Sequence, residues 1–420
     1  MVHVYPYLLS CIIQAAQERE SQHLMKRRSF LRTSATGALA SVPMLAHAQG
    51  AGDHSAPIMA SPPVVMAPRA DGAEIVWAVS RLCRGWVECR TADGKVRKIA
   101  VDDFGFTPQS SRIMRVRLSG LPPGEAFDIR AVVETVDSPA TREESPWKPM
   151  RTLHSGADTT HFVIWNDTHE NAETLRRLHQ ITPAADFLIW NGDTCNDWHR
   201  EEQLVPVLLN PGGQDITAGR PMFLAMGNHD VRGKFGFKMS ELIAMPDGRP
   251  LCAFRSGPVA CLLLNTGEDT PDSHPGFHGR VAFEHHRREQ AEWIRTATAT
   301  PEIRDAPHKV VFCHIPLRWT EEAETVDYAG GQWDRYARSS RDLWHDALVN
   351  WGAQVVFSGH THRDAWIPAN NHFPYAQMTG GGPQPDRATW IECTTGAAGL
   401  RVVMHNLNGE IIHDVTLPTA

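Results

Sequence analysis

The chain has 420 residues, 42% of them hydrophobic and 21% charged, with a formal net charge of −7; this is an ordinary globular composition with room for two domains. An acidic surface argues against non-specific nucleic-acid binding, which depends on Lys and Arg neutralising phosphates. No run approaches the roughly 20 continuous apolar residues that a membrane-spanning helix needs.

Residues 25–50 read "MKRRSFLRTSATGALASVPMLAHAQG". Adjacent Arg27 and Arg28, a modest apolar stretch and the small residues of "AHA" resemble a bacterial twin-arginine export signal. The resemblance implies cleavage after Ala48, a periplasmic or secreted protein, and export in the folded state; Met25 is an alternative start. Removing residues 1–48 leaves 36 basic and 46 acidic residues, a net charge of −10. It also removes Cys11 and leaves seven cysteines, an odd number, so at least one thiol stays unpaired. Cys83 and Cys89 are close enough in sequence to bridge a hairpin.

Residues 49–68 are small, polar and proline-rich, which predicts a linker. From 69 to 155, short alternating runs such as "MRVRLSGLPPGEAFDIRAVVE" are separated by turn signals, and no helical period appears. This predicts a small all-β sandwich, and the strand–turn–strand pattern resembles fibronectin type III-like domains. From 156 to 420, apolar runs alternate with amphipathic segments, including 172–181, 284–295 and 340–352, which predicts an α/β domain.

In that second part, five apolar runs end in similar chemistry. "FVIW" leads to Asp167 and His169, "FLIW" to Asp193, and "MFLAM" to Asn228, His229 and Asp230. "KVVF" leads to His314, and "QVVF" to His360 and His362. Loops following strands are where open α/β sheets build their sites. The carboxylate, amide and imidazole set suits borderline metals such as Zn, Mn, Fe or Co and poorly suits calcium. Seven ligands exceed one mononuclear site that must also hold water, whereas two metals sharing one carboxylate would use them all.

The ordered motifs D-x-H, G-D, G-N-H-D, H and G-H-x-H resemble the calcineurin-like metallophosphoesterase superfamily, over roughly residues 158–420. The resemblance implies two stacked mixed β-sheets flanked by helices and a dinuclear centre. Asp167, His169 and His362 would hold one ion, Asn228, His314 and His360 the other, and Asp193 would bridge. A metal-bridging hydroxide would attack a phosphodiester or phosphomonoester in line, with His229 beside the phosphate and Asp230 orienting its ring. Arg232 and Asn196 are candidate substrate contacts, and Asp197 a candidate rim residue. His169 and the lack of a nearby tyrosine depart from purple acid phosphatase motifs, so no charge-transfer colour is expected. A second reading is a non-catalytic, metal-stabilised binding protein that works through the β-sandwich.

Overall fold

A computed structural model describes residues 56–100, 104–319 and 334–419. The segment read as an export signal and the first part of the expected linker, residues 49–55, lie outside them. Two stacked mixed sheets form the centre. The first has nine strands in the spatial order Ile411–Leu417, Gly399–Asn406, Thr389–Gly396, His161–Trp165, Phe187–Asn191, Met222–Ala225, Val64–Arg69, Gly72–Ala78 and Ile113–Leu118. The second has six, in the order Cys252–Ser256, Val259–Leu263, His308–Phe312, Val355–Ser358, Ala376–Thr379 and Ala365–Ile367.

Strand alternation sends successive side chains to opposite faces and so sorts the layers. Phe162, Ile164, Phe187 and Ile189 meet Phe312, Phe357 and Leu263 in the core between the sheets. Phe162 stacks on Phe187 with ring centroids 4.9 Å apart. Their neighbours Val163, Trp165, Leu188 and Trp190 point the other way, onto Leu175 and Leu178 of the helix Ala172–Ile181. The outer face of the six-stranded sheet is covered by the helices Phe283–Thr298 and Asp334–Trp351. This is the α/β arrangement of two helix-flanked sheets expected from the motifs. Trp165, Trp190 and Trp198 are core residues, each 1% exposed or less.

The N-terminal β region differs from expectation in two places. Residues 64–68, read as linker, belong to the strand Val64–Arg69, which runs parallel to Met222–Ala225 with Met66 opposite Met222. Pro68 hid this strand, because proline cannot donate to a ladder. The chain accommodates it at an irregularity between Met66 and Arg69. The front layer of the sandwich is therefore continuous with the nine-stranded sheet, and hydrogen bonding crosses the expected boundary near residue 155. The back layer is a six-stranded sheet built around Cys83–Arg90 and Ala126–Thr135, closing a core that includes Trp77, Val87, Met114 and Ile129.

Cys83 and Cys89 lie on one strand, Cys83–Arg90, and not across a hairpin. Six residues of strand span about 20 Å, beyond the reach of a disulfide. All seven cysteines of the described residues are buried free thiols. Among the described residues no helix is long and apolar enough to cross a membrane.

Candidate metal centre

Five parallel strands from both sheets end at Trp165, Asn191, Ala225, Phe312 and Ser358, and the seven expected ligands follow within a few residues of those ends. Asp167, His169, Asp193, His360 and His362 all adopt left-handed backbone, with φ between 43° and 70°. Each such non-glycine residue costs roughly 1–2 kcal/mol, so the surrounding contacts must over-determine it. They do. Asp167 N donates to Gly192 O and His169 N to Asp193 O, tying the first two loops together. His229 N donates to Asp193 Oδ1 at 2.9 Å, and His360 N to Asp167 Oδ1 at 2.8 Å. Asn191 Nδ2 bonds Asn166 Oδ1 and Phe357 O, joining the two sheets beneath the site. Asn171 caps the helix Ala172–Ile181 and ends the Asp167–His169 loop.

These loops bring the expected ligands into groups whose candidate donor atoms lie within 4.8 Å of one another. One is Asp167, His169 and His362; another is Asp193, His314 and His360; a third joins His169, Asp193 and His229. Asn228 Oδ1 lies 2.9 Å from His360 Nδ1 and completes the second group. Asp193 links the groups, with Oδ2 at 3.1 Å from His314 Nε2 and 3.5 Å from His169 Nε2.

The residues fit a pair of cations. His314 is fully buried, its Nδ1 faces the Asn191 carbonyl at 2.9 Å, and its Nε2 makes no hydrogen bond although two carboxylates surround it. Burial opposes charge on that ring, yet Asp193 and Asp167 push its pKa up to about 10. Such a concentration of negative charge attracts a proton or, equally, a metal ion. Burial resists ionisation of Asp193, but His314 and His169 hold it well below the usual carboxylate range. Burial, reinforced by His314, lowers His360 to about 4, so it is a neutral donor near pH 7. Two glycines leave room for this crowding. A Cβ on Gly227 would lie 2.2 Å from Asp193 Oδ1, and one on Gly359 would lie 2.2 Å from Asp167 Oδ2.

The expected partner of His229 is corrected. Asp230 is fully buried and accepts from Thr194 N, Thr194 Oγ1 and Gly227 N, so it braces two loops and does not reach the ring. Burial, with Asp193 nearby, raises its carboxyl above the usual range. The ring is held instead by Asp197, whose Oδ1 is 2.9 Å from His229 Nδ1. Asp197 has φ of 142°, a region that strongly favours glycine, and this backbone turn aims its side chain inward. Asn196 is exposed and bonds His169 through both its side-chain oxygen and nitrogen, so it orients a candidate ligand.

Arg232 Nη1 lies 3.4 Å from His229 Nε2, while Nε and Nη2 are held by the buried Glu268 and Nη2 also meets Asp269 at 3.2 Å. Asp269 Oδ2 is in turn 3.6 Å from His360 Nε2. Glu268 and Asp269 were missed in the sequence, although they follow Val259–Leu263 and obey the same strand-end rule as the ligands. His274 and His278 are exposed and lie outside the three groups.

The model of the calcineurin-like phosphoesterase family matches residues 160–364. A serine/threonine-protein phosphatase CPPED1 of Pongo abelii is 24% identical over 271 residues, covering 59% of this chain and 80% of the relative. Purple acid phosphatase PPD1 from yellow lupin seeds superposes with a TM-score of 0.64 at 12% identity, over 85% of this chain and 74% of that one. PhoD superposes with a TM-score of 0.57 at 11% identity, over 86% and 94% of the two chains. The two structures share the fold.

Proposed function

Because the chain carries a calcineurin-like metallophosphoesterase domain and is a phosphoric ester hydrolase, we propose that it is an exported dinuclear enzyme acting on phosphomonoesters, with diesters as poorer substrates. The observation that carries this reading is the convergence of the donor groups, with His229 at their edge, on one set of strand-end loops. Relatives named as phosphatases support the monoester preference.

Asp167, His169 and His362 would hold one ion and Asn228, His314 and His360 the other, with Asp193 shared. A metal pair there supplies Lewis-acid chemistry, polarising the ester and acidifying water. The chain's own groups account for the rest. Asp197 fixes the His229 ring with Nδ1 inward, so Nε2 faces the open side beside Arg232 Nη1. Arg232 is pre-aimed by the buried Glu268 and offers its remaining edge to an anionic phosphate. His229 Nε2 is placed to pass a proton to the departing oxygen.

Export rests on the twin-arginine resemblance. Seven buried, unpaired thiols agree with folding in a reducing compartment before translocation.

The test is elemental analysis of purified protein together with turnover of p-nitrophenyl phosphate and bis(p-nitrophenyl) phosphate, with Mn, Fe, Zn and Co each supplied. Two ions per chain and faster monoester hydrolysis are expected. Silence toward both substrates would overturn the reading. Asp197→Ala should lower kcat by roughly ten- to hundredfold with metal content unchanged. The scaffold reading requires no change in any activity for this variant.

A further inference from the structure

A groove of about 850 Å³ opens on the His229 side of the centre. Its lining includes Asp197 and Arg232, both of which contact the His229 ring. The two carboxylates that line it are already engaged, Asp197 by His229 and Glu268 by Arg232. The lining also carries Lys234 and Arg280, together with His199 and His274. Lys234 and Arg280 are exposed and neither has a carboxylate partner among the described residues; Arg280 Nε donates to the Phe277 carbonyl. The lining also includes Phe237, 67% exposed, and Phe277. Unpaired cations concentrated around one groove are conspicuous in a chain of net charge −7. Like charges around a concave, partly apolar surface focus positive potential into it and draw in an anion.

The chemistry of the centre says which part of a substrate would lie there. In an in-line displacement the water oxygen–phosphorus bond forms as the bond from phosphorus to the leaving oxygen breaks, and the bonding pair departs with that oxygen. The leaving oxygen then takes up a proton, by the route through His229 Nε2 proposed above or from water, and inorganic phosphate and an alcohol or phenol result. The groove opens beside Asp197 and Arg232, both in contact with the His229 ring, so a substrate portion extending from the centre on that side would enter it. Resting on the phosphomonoesterase reading above, we propose that this groove is a leaving-group subsite for an anion carried on a flat apolar segment. The substrate class is a phosphomonoester whose alcohol or phenol bears its own carboxylate or second phosphate-like group.

The experiment uses the metal-loaded full-length protein and three substrates with closely similar leaving phenols. These are phenyl phosphate, 4-(carboxymethyl)phenyl phosphate and 4-(phosphonomethyl)phenyl phosphate. Both charged substrates should exceed phenyl phosphate in kcat/KM by about fivefold, mainly through KM, and the advantage should shrink as salt rises. The two charged arms separate a carboxylate preference from a phosphate-like one. Lys234→Glu/Arg280→Glu changes two exposed side chains, and it should bring the charged-to-uncharged ratio to one or below. Equal kcat/KM for all three substrates in the unaltered enzyme, or a ratio that survives the double variant, overturns the subsite. Failure to hydrolyse phenyl phosphate with any metal would instead overturn the phosphomonoesterase reading itself.

Discussion

Gly359→Ala probes how tightly the carboxylates proposed to face the metals are packed. The new Cβ would lie 2.2 Å from Asp167 Oδ2 and 3.1 Å from Asn166 Cβ. A carbon–oxygen contact normally needs roughly 3.3 Å, so the Asp167 carboxylate must retreat by about 1 Å. It has no free direction, because Asp167 is fully buried and both oxygens accept from His360 N, at 2.8 and 3.0 Å. Retreat breaks those bonds and separates Asp167 from His362, whose Nε2 is 3.5 Å away. The lost buried hydrogen bonding costs about 1–3 kcal/mol of stability. A ligand misplaced by that distance lowers turnover by about a hundredfold. The assay combines a thermal melt, metal content after dialysis and p-nitrophenyl phosphate kinetics. Gly396→Ala serves as the control, since a Cβ there meets nothing within 4 Å. If Gly359→Ala kept both ions and full turnover, Asp167 would not be anchored as described and its role as a ligand would fall.

Asp193→Asn should weaken retention of both ions by roughly tenfold or more, since one carboxylate reaches both groups. Elemental analysis showing one ion bound at full affinity would restrict Asp193 to a single group. Asp230→Asn should cost about 2–4 kcal/mol in a denaturant melt, because an amide cannot accept from all three donors now directed at the carboxylate; a loss below 1 kcal/mol would contradict the bracing role. In protein lacking residues 1–48, and so Cys11, an aromatic disulfide reagent should titrate less than one thiol per chain in the native state and the seven buried thiols after unfolding. Rapid reaction of several thiols in the native protein would contradict their burial.

Much of this protein is legible along the chain because its chemistry is local. Each ligand follows an apolar run by one to five residues, so D-x-H, G-D, G-N-H-D and G-H-x-H announce strand ends, and the set of seven limits what the loops can hold. The helix-flanked sheets follow from the same alternation, since a strand buried on both faces needs cover on both. Partnerships between separate loops are not visible in this way. Asp230 adjoins His229 in sequence, yet a short helical turn rotates it into the core. Asp197, 32 residues away, takes the ring through an unusual backbone angle that no residue type announces. Arg232 finds Glu268 and Asp269 across 36 and 37 positions, and Val64–Arg69 finds Met222–Ala225 across more than 150. A sequence records which groups a residue can bind, but the packing of distant strands decides which of them come within 3 Å. That distance falls off through the fold, not along the chain, so only the tertiary structure could assign the partner of His229 and the groove beside it.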